Sequence, residues 1–485
     1  MIWLSVLLII YIFIRDQVVY DSKYFDTYIL YYVISFFSLL VWLYISRVNK
    51  SNQIKFIMVF FSLLFCIYFV EIFLNFFIDD IGMNNKDSSR IKIADNLGVK
   101  FDKRSRLEVI REHNNKAEDV VPTALATNFV DKSLSSGILP LSGLSNKRTL
   151  HCNESGEYVY YDSDRYGFNN PDIEWDNSNK KGSYLLLGDS FTHGACVNED
   201  QTVASRIRHY SNGKTAISLG NGGSGLLLML ATLKEYGKLA NPKYTLIMYF
   251  EEGNSRLRHE NNNKFLKQYL VERNFTQNLP NRQRERDVYI QSFIDTSLEK
   301  ERVEEIGKDS ILKTLLKIIK LFHVRKLISM DSLLVSDGRR VLVDDSFASI
   351  IVETKRYAES ISNDNILYFV YMPEYSRYID KDIDHDLFRN KKKIISIIKS
   401  LGIPVIDIHK QVFLNSGDPL SFFPFRYDGH YTSHAYDLIA RQIVKSVEGL
   451  WGLSMFNKNI LKVFWDIGGV IPPKKLTLSK SRIFL

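Results

Sequence analysis

Apolar residues along this chain fall into two regimes. Over the first eighty positions they come in long, nearly unbroken runs, and from about residue 183 they come in short blocks separated by stretches of helical periodicity. The long runs read as membrane helices. Residues 27–46 are free of charge, and about 20 such residues are what a helix needs to cross a bilayer core of ~30 Å. Residues 56–78 form a second such run, interrupted only by Glu71 and Asn75. The opening run, 1–14, has no basic residue ahead of it and no small-residue cleavage site behind it, so it reads as an uncleaved, short or tilted helix. Three transmembrane helices are expected, with two as the alternative. Glu71 sits near the end of its run, where snorkelling to the interface would accommodate it, and no role is assigned to it.

The loops set the orientation. Arg47, Lys50 and Lys55 lie between the second and third runs, whereas Asp16, Asp21 and Asp26 occupy the first loop and Asp79-Asp80 follow the third. Basic loops stay in the cytoplasm. Residues 81–485 are therefore expected on the extracytoplasmic side of a multi-pass membrane protein.

Residues 81–182 read as a linker or accessory region, with a charged helical stretch at 100–116, a Pro-, Ser- and Gly-containing passage at 122–146 and a polar, Tyr-rich hairpin at 152–161. Beyond them the short apolar blocks, 184–187, 215–219, Tyr244–Phe250, Ile366–Met372 and 403–408, alternate with helical segments. Such blocks are strands buried on both faces of a parallel sheet, so residues 183–448 are predicted to form a three-layer α/β/α domain. An insertion at about 255–343, rich in Lys, Glu and Arg with Leu and Ile at helical spacing, is either a helical lid or surface decoration. Residues 449–485 form a basic tail containing Lys474, Lys475, Lys480 and Arg482.

The net charge of +8 is spread over helix faces, and no nucleic-acid motif is present. Cys66 lies in a membrane run, leaving Cys152 and Cys196 either as a disulfide in an oxidising space or as two free thiols.

In a parallel sheet ligands collect at the carboxyl ends of the strands. After the first block comes Gly188-Asp189-Ser190-Phe191-Thr192-His193-Gly194; after the second, Gly220-Asn221-Gly222-Gly223-Ser224-Gly225; after the third, Gly253-Asn254; after the fifth, Asp428-Gly429-His430. Each alone reads equally as a turn or a cap. The G-x-S-x-G elbow does not fit, because Thr192 stands where its second Gly would be. Together, in this order, the four motifs resemble the SGNH (GDSL-type) hydrolases, over roughly residues 183–448.

The resemblance implies a flavodoxin-like sheet and an acyl-serine mechanism. Ser190 would be the nucleophile, His430 the general base and Asp428 the group that orients the imidazole, since residues i and i+2 of extended backbone point to one side. The oxyanion would be held by the N–H groups of Ser190 and Gly223 and the amide of Asn254. Two departures stand out: many members have two residues between Asp and His, and Ser255 replaces the usual Asp. His434 is the rival base, Asp189, His193 and His434 are candidate pocket residues, and His409 is a weaker candidate. No metal and no cofactor are expected.

A site of this kind tethered to a membrane implies a serine esterase acting on an acylated glycan or lipid of the cell envelope. The alternatives are an O-acyltransferase that modifies an envelope polysaccharide, working with a membrane-bound acyl-donor partner, and a non-catalytic glycan-binding or scaffold protein.

Overall fold

The computed structural model describes residues 1–19, 25–77, 86–178, 183–251, 253–306, 311–327, 343, 345–379, 388 and 390–466. The apolar N-terminal runs are helices: α1 (Ile2–Phe13), α2 (Phe25–Arg47) and α3 (Lys50–Phe77). Their large side chains, such as Trp3, Phe37 and Phe65, point outward and are 80%, 66% and 71% exposed, the reverse of a helix built for water. Among the described residues one helix, Lys50–Asn75, is long and apolar enough to span a bilayer. The apolar part of α2 is Tyr31–Arg47. At 1.5 Å per residue it reaches about 26 Å and α1 about 18 Å, both short of a ~30 Å core. The three spans expected from the sequence thus reduce, among the described residues, to one of full length.

Residues 86–178 are more than a linker. Helix α4 (Lys86–Leu97) and helix α5 (Arg106–Asn115) precede a small sheet in which β1 (Val120–Pro122) pairs parallel with β2 (Arg148–Leu150), and β2 pairs antiparallel with β3 (Tyr160–Asp162). A capping box starts α5, with Ser105 Oγ accepting from the Glu108 N–H at 3.2 Å and the Glu108 carboxylate accepting from the Ser105 N–H. The hairpin brackets the 152–161 expected: its strands are Arg148–Leu150 and Tyr160–Asp162, and most of the expected stretch is the loop between them. The region packs on the domain that follows, contributing Val121, Ala124, Phe129 and Phe168 to its larger apolar cluster.

The main sheet comprises β4 (Tyr184–Gly188), β5 (Ala216–Ser218), β6 (Tyr244–Phe250), β7 (Ile366–Met372) and β8 (Val405–Asp407). All are parallel and lie in the order β5-β4-β6-β7-β8. Every residue of β4 and β6 is buried, as continuous apolar strands require. Alternate side chains feed opposite layers. Tyr184, Leu186, Leu246 and Met248 pack with Ile207 of α7 (Val203–Tyr210) and with Ile439 and Ile443. On the other face Leu185, Leu187, Ile247 and Tyr249 pack with Leu230 and Leu233 of α8 (Leu226–Ala240). Each such aliphatic side chain stabilises the fold by about 1.5–3 kcal/mol on burial.

Between β6 and β7 runs the insertion, whose described elements are all helices, α9 (Gly253–Asn262), α10 (Lys264–Val271), α11 (Gln283–Ile306), α12 (Ile311–Ile319) and α13 (Phe322–Leu327), with an irregular stretch over 272–282 between α10 and α11. After it come α14 (Asp345–Ile361), α15 (Asn390–Ser400) and α16 (Ser433–Asp466). The tail expected from residue 449 begins inside α16, which runs through that point. Lys474, Lys475, Lys480 and Arg482 lie outside the described residues.

Candidate functional site

The chain reverses direction across the sheet between β4 and β6, and that switch point is where a doubly wound sheet opens a crevice. Ser190 lies there, two residues past the end of β4. Gly188 makes the turn possible: a Cβ on it would lie 1.9 Å from Thr192 Oγ1, so no larger residue fits. Asp189 caps the one-turn helix α6 (Ser190–His193), accepting from the Phe191 N–H at 3.0 Å, and its second oxygen takes Arg256 Nη1 of α9 at 2.6 Å.

His430 brings the chemistry to Ser190. Its Nε2 lies 2.8 Å from Ser190 Oγ. Its Nδ1 lies 3.1 Å from Glu154 Oε1, and its backbone N–H donates to Glu154 Oε2 at 2.6 Å. A carboxylate at Nδ1 keeps the proton on that nitrogen and leaves Nε2 as an acceptor for the serine hydroxyl. Phe191 packs against the imidazole at 4.8 Å between centroids and stacks on Phe250 at 4.0 Å, so the ring is held on its face as well as its edge.

Glu154 stands in the loop between β2 and β3. It is buried, which by itself pushes its carboxyl up; His430 and Arg90 Nη2, the latter 2.9 Å away, outweigh that and hold it at about 2. Arg90 of α4 is itself buried and also donates to the Asp428 carbonyl at 2.8 Å, tying the acid and the histidine loop together. The close approach depends on Gly429, where a Cβ would lie 2.7 Å from Glu154 Oε2. Cys152 and Cys196 are joined by a disulfide, which fastens the Glu154 loop to the segment that follows Ser190.

The carboxylate beside His430 Nδ1 is that of Glu154, where the sequence pointed to Asp428. Residues 428–430 form a bend, not extended backbone, so the i, i+2 alignment that would have put Asp428 beside the ring does not arise. His434, the rival base, is exposed on the first turn of α16 with its ring 5.9 Å from Phe422. Neither other candidate lines an open pocket. Asp189 is buried under its cap and ion pair. His193 is buried with its ring 4.7 Å from that of His151, its Nδ1–H donating to the Gly220 carbonyl at 3.2 Å. Burial and nearby His430 hold His193 neutral, at about 4. His409 is occupied by the Tyr378 hydroxyl at 2.7 Å, and burial pulls it down to about 3.

Gly223 takes a positive φ of 76° in the turn before α8, a conformation glycine enters without strain. Among the described residues no acceptor takes the N–H of Ser190 or of Gly223. Asn254 falls in the first turn of α9, and its side chain lies outside the described residues. The turn is anchored from the insertion: Glu260 of α9 accepts from the N–H groups of Gly225 at 2.6 Å and Leu227 at 2.9 Å. Burial pushes Glu260 up to about 7 against those bonds.

Arg90, Glu154, Arg256 and Glu260 escaped the sequence reading. One signal existed for Glu154, two residues beyond Cys152: a bond from Cys152 to Cys196 brings it toward Ser190. Glu154, His430 and Cys196 place donor atoms within 4.8 Å of one another, as a metal site would. The Cys196 sulfur is already bonded to Cys152, so it has no thiolate to offer. A cavity of ≈ 290 Å³, lined in part by Ser155, Tyr158, Asn198, Gln201 and Thr432, adjoins the site through Cys196 and Tyr431.

Neither a family model nor a curated protein matches this chain. Among solved structures it is similar to a provisionally named lipolytic protein of the G-D-S-L family from Desulfitobacterium hafniense DCB-2, at 13% identity and a TM-score of 0.28, covering 55% of this chain and 99% of that one. It is also similar to a provisionally named acylhydrolase from Bacteroides fragilis NCTC 9343, at 12% identity and a TM-score of 0.30, covering 57% and 95%.

Proposed function

We propose that the chain is a membrane-anchored serine esterase that cleaves acyl esters of cell-envelope glycan or lipid through an acyl-Ser190 intermediate. One observation carries this reading: the hydrogen-bonded series from Ser190 Oγ through His430 to Glu154, with 2.8 Å at the first link and 3.1 Å at the second.

In the reaction His430 Nε2 takes the hydroxyl proton as Ser190 Oγ attacks the acyl carbonyl. The oxyanion forms at the turn, within reach of the Ser190 and Gly223 N–H groups, where one such donor contributes about 2.7–4 kcal/mol to the transition state. The imidazolium, held by Glu154, passes its proton to the leaving alcohol oxygen as the C–O bond breaks. Water then attacks the acyl-serine, His430 takes its proton, and the acid leaves as Ser190 regains its own. Anchoring on α3 brings this site to a lipid surface, and the disulfide fits an oxidising, extracytoplasmic compartment.

The test is incubation of membranes carrying the protein with an acylated donor and a glycan acceptor, alongside Ser190→Ala. Release of free acid by the native chain and its loss in the variant, by about 10⁴-fold or more, is the expected result. Acyl-glycan formed at the expense of free acid would replace hydrolysis by acyl transfer. Equal serine-probe labelling of native and variant protein would remove both enzymatic readings.

A further inference from the structure

We infer that the helical pair α12 and α13 of the insertion is a membrane-surface element, docked on the outer end of α3 and lying in the headgroup layer of an anionic bilayer. The inference rests on α3 being a membrane span.

The docking is built around Glu71. Its side chain is completely buried and accepts three hydrogen bonds from the start of α13: the His323 N–H at 3.0 Å, His323 Nδ1 at 2.9 Å and the Val324 N–H at 2.8 Å. One turn earlier on α3 the Tyr68 hydroxyl donates to the Ile319 carbonyl at 3.2 Å. A carboxylate inside an apolar helix thus finds its partners in the first turn of another helix, where unpaired N–H groups and the positive end of the dipole favour an anion. The snorkelling expected for Glu71 is replaced by this contact.

The depth of the contact locates the pair. Tyr68 and Glu71 precede Asn75, the last residue of the spanning stretch, by seven and four positions. At 1.5 Å per residue they lie about 10 Å and 6 Å inside its end, and amphipathic helices in the membrane plane bury their apolar face about 5–10 Å deep.

Composition and exposure complete the argument. Between residues 311 and 327 the chain carries Lys313, Lys317, Lys320, Arg325 and Lys326 and no Asp or Glu. On α12 the side chains of Leu315, Leu316 and Ile319 are 48%, 42% and 62% exposed. An apolar stripe left open beside a spanning helix, in a stretch of sequence whose charged residues are all basic, is chemistry for the interface of anionic lipids.

The test reconstitutes the full chain, in a Cys66→Ser background with the disulfide intact, into vesicles of brominated phosphatidylcholine with or without phosphatidylglycerol. A fluorophore is attached to Ile319→Cys, to Phe65→Cys on the outward face of α3, or to Ser360→Cys at an exposed position of α14; Leu315→Cys serves as a second position on α12. Expected is quenching at Ile319 comparable to that at Phe65, none at Ser360, and a several-fold fall at Ile319 without phosphatidylglycerol or in Lys313→Gln/Lys317→Gln/Lys320→Gln. Quenching at Phe65 with Ile319 and Leu315 behaving like Ser360 overturns the proposal while leaving the span intact. No quenching at Phe65 removes the span itself, and the proposal with it. Equal quenching at Ile319 with and without phosphatidylglycerol overturns the requirement for anionic lipid.

Discussion

His430 has a partner on each ring nitrogen, and those partners decide what the ring can do: a serine hydroxyl to be deprotonated at Nε2 and a buried carboxylate at Nδ1. Glu154→Gln keeps the shape but removes the charge and the preference for one tautomer. It should lower kcat by about 10²–10⁴-fold, whereas Asp428→Asn should cost less than about tenfold. Equal losses from the two variants in a steady-state assay would return the orienting role to Asp428. Glu154 also links the site to stability. Its carboxyl sits at about 2 in the folded chain against an ordinary 4.5, so it adds stability that is fully present above pH 4.5 and is lost as the pH falls toward 2. That contribution is on the order of 3 kcal/mol. Thermal melting of native chain and Glu154→Gln should therefore differ most at neutral pH and converge below about pH 4.5; a constant gap down to about pH 3 would contradict it.

At the scale of elements, the strands were legible because each is a short apolar block buried on both faces, and their parallel direction follows from the helical crossovers between them. The loop between β2 and β3 was not. Its polar residues pair with distant ones, and the chain places Glu154 through a disulfide whose partners are 44 residues apart. Closing a loop of that size contributes about 4 kcal/mol in the chain-entropy model. Replacing both cysteines, Cys152→Ser with Cys196→Ser, should lower stability by about 2–4 kcal/mol and also reduce kcat, because the carboxylate loses its tether. Scanning calorimetry with parallel kinetics checks both parts, and an unchanged kcat would show that the loop holds its place without the bond.

Across the whole molecule the site is assembled from four distant stretches: Arg90 on α4, Glu154 in the loop between β2 and β3, Ser190 after the first strand of the main sheet and His430 before the last helix. A chain truncated to begin at residue 98 loses Arg90 while retaining every strand of both sheets. Circular dichroism should show the secondary structure of the retained residues intact, with only the helices before residue 98 lost, yet activity should fall by about 10- to 100-fold, the worth of a charged hydrogen bond of about 1.5–3 kcal/mol, as it should in Arg90→Met. Activity that survives the cut would confine the working site to residues after α4. Hydrophobic patterning and turn chemistry by themselves determined the parallel α/β domain, the apolar N-terminal helices and the serine at a strand end, because both are local. Tertiary structure alone decided which carboxylate reaches His430, which helix receives Glu71 and which loop Cys152 fastens. Each of those is a polar pairing between residues far apart in the chain, and a buried charge is satisfied by whatever partner the fold brings to it, with no trace in the spacing around it.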